Sequence, residues 1–135
     1  MKDQLIKQEV LDNGVTLLLY DASRKIIGDR WLVALVARAV VSVREALRSA
    51  EDVNPDDLIS IQHALDDEVF FEQKRERYFI DENEKDNVFN EILESFLSKT
   101  RLYMSHPEFP ARFVHKCFRE YLAKKKLSDQ MNSRQ

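Results

Sequence analysis

The feature that most constrains this chain is the run from Trp31 to Val43, WLVALVARAVVSV, in which every odd position is apolar. Trp31, Val33, Leu35, Ala37, Ala39, Val41 and Val43 would share one face of an extended strand. The even positions are also apolar except for Arg38 and Ser42 near the end. Successive side chains of a strand point to opposite faces, so the run predicts a strand inside a sheet, wholly covered on one face and partly on the other. A short apolar run also fits a buried helix; the β-branched content and the preceding Gly28-Asp29 favour the strand. Its thirteen residues fall short of the roughly 20 that a membrane-spanning helix needs.

What precedes this strand reads as a hairpin. Residues 4–11 and 15–21 are rich in Leu, Ile and Val and are separated by Asp12-Asn13-Gly14. Asn-Gly between such runs is a strong turn signal, because both residues tolerate the positive φ of a tight reversal. A loop over 23–29 then leads into the apolar run. After it, residues 44–53 read as polar and irregular. Asn54-Pro55-Asp56-Asp57 predicts a helix start, with Asn54 as N-cap and Pro55 in the first turn. Leu58, Ile61 and Leu65 give that short helix its apolar stripe. Residues 69–80, VFFEQKRERYFI, are ambiguous in period, and the aromatics flanking the charges favour a fourth strand.

The last third is helical. Asp81 and Glu84 fit a helix start, and Val88, Phe89, Ile92, Leu93, Phe96 and Leu97 repeat at helical spacing over 82–103. A second helix over 111–124 carries Phe113, Val114, Cys117, Phe118, Tyr121 and Leu122 on one face. The connection 104–110, with Pro107 and Pro110, leaves room for an antiparallel pair whose Phe-rich stripes cover the sheet. Trp31 should cap the end of the core, with its indole N–H bonded if buried.

Composition sets the class. The 135 residues, 44% hydrophobic and 33% charged, suit one folded domain, expected over 1–126 with a frayed polar tail over 127–135. A net charge of -3 gives no global attraction to nucleic acid or to an anionic membrane. One cysteine excludes a disulfide framework and a Cys-rich zinc site. The first fourteen residues lack the apolar core of a signal peptide, so a cytoplasmic location is expected. Charge is nonetheless segregated: residues 81–94 are acidic and 111–126 basic. The helix macrodipole rewards much of that pattern, and attraction between helices or to a partner is the alternative.

Catalytic and metal motifs are absent: no HExxH, GxSxG, Walker A or EF-hand loop occurs. His63, His106 and His115 are far apart, and Cys117 reads as a small core residue. No cofactor and no metal is expected. The most site-like segment is the loop holding Asp21, Ser23, Arg24, Lys25, Asp29 and Arg30. Guanidinium forks and an ammonium suit phosphate or carboxylate recognition, although a solvated turn with mutually paired charges explains the same string. Its Asp-x-Ser resembles PilZ-type cyclic-dinucleotide binders, but Ile26 stands where their pattern wants Gly, and the upstream Arg pair is missing. Lys124-Lys125-Lys126 fits a helix C-terminus, with the neighbouring aromatics on the presumed core side.

The segments DASRKIIGDRW (21–31), ERYFIDE (76–82) and SHPEFP (105–110) resemble a small uncharacterised bacterial family of delta-proteobacteria. That resemblance implies a compact bacterial protein and supplies no activity. The reading is an α+β domain: a three-strand meander, a short helix, a fourth strand and two long C-terminal helices. Its expected function is a non-enzymatic interaction or regulatory domain, partnered by itself as a homodimer or by another protein, with no nucleic acid and no membrane. The alternative is a module that binds an anionic small molecule or nucleotide through the 21–30 loop.

Overall fold

The computed structural model describes residues 3–48 and 55–132. Its elements run β1 (Gln4–Val10), β2 (Thr16–Asp21), β3 (Arg24–Ile27), β4 (Arg30–Ser42), α1 (Val43–Arg48), α2 (Pro55–Ala64), β5 (Glu68–Asp81), α3 (Lys85–Met104) and α4 (Phe109–Asn132). The class is α+β, with a sheet of five antiparallel strands where four were expected. The chain divides into two compact units. One comprises Met1–Val40 and Phe70–His106, the other Val41–Val69 and Pro107–Gln135. No helix among the described residues is long and apolar enough to cross a membrane.

The first unit begins with the Asn-Gly hairpin. Leu11 N–H donates to Val15 O at 2.8 Å and Gly14 N–H to Leu11 O at 2.9 Å. Gly14 takes the positive φ, 87°, which costs glycine little because it has no Cβ. Asn13 instead serves with its side chain. Its Oδ1 accepts from Val15 N, and its Nδ2 donates to the carbonyls of Met104 and His106 at 2.7 and 2.9 Å. The hairpin tip is thereby tied to the C-terminal end of α3.

The extra strand is β3, which replaces the loop expected over 23–29. The offset that pairs Thr16 with Val40 continues to pair Arg24 with Leu32, and Ala22 N–H donates to Ala34 O between them. β2 and β3 therefore form one interrupted edge against β4, reversing at Gly28, whose φ is 54°. That leaves the opposite edge of β4 to β5. The polar character of 23–29 reads as loop, but a hairpin edge needs only the β4 ladder and a glycine at its turn.

Alternation in β4 sorts the sheet faces. Val33, Leu35, Ala37, Ala39 and Val41 are fully buried, with Leu17 and Leu19 of β2 beside them in register. α3 covers this face. Its Lys85 lies over Trp31, its Ile92 and Phe96 are buried, and its Arg101 meets Glu9 of β1. Trp31 is half-buried, and its Nε1 has no partner among the described residues; the Lys85 ammonium, 4.0 Å from the ring centre, is its polar neighbour instead. Asp81 does not cap α3. Its carboxylate accepts from Asn83 N–H, and the helix starts after Glu84 without a side-chain cap bond.

The second unit is helical. α1 occupies residues expected to be irregular, because Val43, Ala46 and Leu47 make a buried stripe of one turn. The Asn54 cap lies outside the described residues. α2 begins at Pro55 as expected, and Ile61 is buried. α4 packs against α1 and α2 through Phe109, Pro110, Phe113 and Val114, with the Phe109 and Phe113 rings stacked at 5.8 Å. Farther along, Tyr121 and Leu122 are 38% and 46% exposed, against the expectation of a continuous core face. Length explains this: at 1.5 Å per residue α4 reaches about 36 Å, while its partners reach about 9 and 15 Å. The helix also continues through the 127–132 segment expected to fray, which holds no Pro or Gly.

Candidate functional site

The sheet face opposite α3 carries a concave site within the first unit. Its floor is Leu32, Ala34 and Val36, the even positions of β4, and its walls are Arg24 from β3 and Lys74, Glu76 and Tyr78 from β5, with Asp3 from the segment before β1. The cavity measures about 330 Å³, near the lower end for small-molecule sites. The two-residue period of β5 brings Lys74, Glu76 and Tyr78 to one face, and the offset of β3 on β4 sets Arg24 above Leu32.

Local bonds decide which charges are free. Asp21 Oδ1 accepts from Ser23 N–H at 2.9 Å, and Ser23 Oγ accepts from Ala34 N–H at 3.0 Å. Those two residues bridge the break between β2 and β3 and replace a ladder bond. Tyr78 donates its hydroxyl to Glu76 Oε2 at 2.8 Å. That bond, reinforced by the carboxylate charge, pushes the Tyr78 phenol above its ordinary pKa. Of the three acids in the lining, Asp21 and Glu76 are thus engaged, and the third, Asp3, is exposed. Arg24 and Lys74 meet no carboxylate within ion-pair distance among the described residues.

The six residues singled out from the sequence do not form one cluster. Asp21, Ser23 and Arg24 line this cavity. Lys25 sits opposite Trp31 in the β3–β4 pair, one residue on from Arg24 and so on the other face. Arg30 lies 3.7 Å from both Asp29 and Asp81, and Asp29 O accepts from Glu82 N–H. Asp29 and Arg30 therefore tie the β3–β4 turn to the end of β5. Sequence reasoning missed Lys74, Glu76 and Tyr78. The flanking aromatics pointed to a strand there, but the nearness of these residues to Arg24 depends on β5 joining the far edge of β4.

Elsewhere the chemistry-bearing residues are scattered. His63 and His106 are exposed, and His115 is half-buried on α4. Among the described residues no three His, Cys, Asp or Glu side chains approach closely enough to hold a metal ion. Burial pushes the Cys117 thiol above its usual pKa, with Glu120 adding to the effect, which suppresses the thiolate a nucleophile needs. No family model, curated protein or solved structure matches this chain.

Proposed function

We propose that the protein is a non-enzymatic binding module whose sheet face takes a small molecule bearing an anionic group on a flat apolar body. The observation that carries this reading is the pair of cations, Arg24 and Lys74, left without carboxylate partners above the apolar floor of Leu32, Ala34 and Val36. A guanidinium and an ammonium supply charge-assisted bonds to phosphate or carboxylate. The apolar floor and the Tyr78 ring offer a surface for a planar body. The reading keeps the anionic-ligand expectation and moves its cations: Arg24 remains, Lys74 enters, and Lys25 and Arg30 drop out. Thermal-shift measurements against mononucleotides, inorganic phosphate and aromatic carboxylates test it. A planar anion should raise the melting temperature of the wild type and have little effect on Arg24→Ala or Lys74→Ala. No shift with any of these ligands would remove the reading.

A further inference from the structure

We propose that the outer edge of β5 pairs antiparallel with the same edge of a second copy of this chain, about a two-fold axis at Arg75, joining the two sheets. The direction of the backbone groups comes first. Lys74, Glu76 and Tyr78 share the sheet face of Ala34, and Ala34 bonds toward β2. In an antiparallel sheet this parity turns the N–H and C=O groups of Lys74 and Glu76 away from β4. Among the described residues, their carbonyls are met by the guanidinium groups of the following residues. Arg75 Nη1 reaches Lys74 O at 3.4 Å, and Arg77 Nη1 reaches Glu76 O at 3.0 Å. A strand edge whose backbone groups meet no neighbouring strand is a template for another strand.

The sequence of the edge selects the occupant. In residues 72–78, EQKRERY, a lysine and a glutamate flank Arg75 on either side. Antiparallel pairing about that residue sets Lys74 opposite the second copy's Glu76 twice, and Glu72 opposite its Tyr78 twice. The same axis opposes the two Arg75 side chains on the other face, one like-charge pair against two Lys74–Glu76 pairs; an axis at Lys74 would add two Glu72–Glu76 pairs to a central lysine pair, and one at Glu76 two Arg75–Arg77 pairs to a central glutamate pair. Exposed aromatics bracket the charged stretch, Phe70 on one side and Tyr78 and Phe79 on the other. Phe79 has φ 58°, a left-handed conformation rare for an aromatic residue, so the regular ladder ends at Tyr78. The opposite border of the sheet is less suited, because β1 breaks register between Leu5 and Lys7.

Sedimentation velocity without ligand tests the pairing apart from the binding reading. Wild type should show a reversible monomer–dimer equilibrium across the micromolar range. Lys74→Glu and Glu76→Lys should each weaken self-association at least tenfold. Mixed together, the two variants should associate, because both pairs between positions 74 and 76 are again of opposite charge; that mixture also shows that both chains are folded. Arg75→Gln, which removes the like charges on the axis, should tighten the dimer severalfold. A strictly monomeric wild type, single variants that still dimerise, a mixture that does not associate, or weakening by Arg75→Gln would each overturn the proposal.

Discussion

Two residues hold α3 to the first hairpin, and each makes a separable prediction. Glu9 accepts from two guanidinium nitrogens of Arg101, Nε and Nη2, with Nε 3.1 Å from Oε2. The bond to Arg101 holds the Glu9 carboxyl below its ordinary pKa. A carboxyl with a lowered folded-state pKa adds stability in full above the ordinary carboxylate range, and that stability disappears as pH falls through the lowered value. Melting temperature should therefore decline on acidification below about pH 4, and Glu9→Gln should flatten this limb while leaving the neutral-pH fold intact. Asn13 acts through geometry. Asn13→Ala loses two bonds to the carbonyls of Met104 and His106 and one from Val15 N–H. At about 1 kcal/mol net for each bond, the loss should be about 2–3 kcal/mol in urea unfolding. Asn13→Asp keeps the acceptor but turns a carboxylate toward two carbonyls, so it should be at least as unstable. An Asn13→Ala protein with an unchanged urea midpoint would refute the tie.

At the scale of elements, the β3–β4 reversal is the feature that composition hid. Gly28 has φ 54°, and a Cβ built there meets nothing within 4 Å. The cost of Gly28→Ala is thus conformational and not steric, about 1 kcal/mol by equilibrium unfolding. Gly28→Asn should cost less, because asparagine enters the left-handed region more readily. If Gly28→Ala were neutral, a glycine conformation would not be required at this turn. Strand β4 and helix α3 are legible from the sequence because each depends on a period that the chain itself carries, whereas β5 is legible only through the aromatics that flank its charges. The short α1 and the exposed second half of α4 are not. A six-residue helix is below the length at which periodicity can be read, and an apolar stripe does not report how long its neighbours are.

For the whole molecule, the net charge of -3 and the arrangement of α4 together oppose nucleic-acid binding. Lys124, Lys125 and Lys126 are consecutive and exposed, so steps of about 100° fan them around the helix and do not align them on one face. A nucleic-acid interface needs a basic stripe with contacts to successive phosphates. Duplex DNA should therefore give no mobility shift at physiological salt. A salt-sensitive micromolar affinity, lost when the three lysines are replaced by glutamine, would overturn this expectation.

The sequence alone determined what nearest neighbours and short periods control. The β-branched 31–43 run favours a covered strand over a buried helix, Asn13-Gly14 favours a reversal, and the 88–97 repeat an amphipathic helix, since each encodes its own burial pattern. Tertiary structure decided which charges meet. Arg24 and Lys25 are adjacent in the chain, yet the pleat sends them to opposite faces, and Arg24 and Lys74 come together only because β3 and β5 flank β4 from its two edges. Local pattern encodes which side chains are buried, whereas strand order and register are set by long-range pairing, which no window of sequence contains.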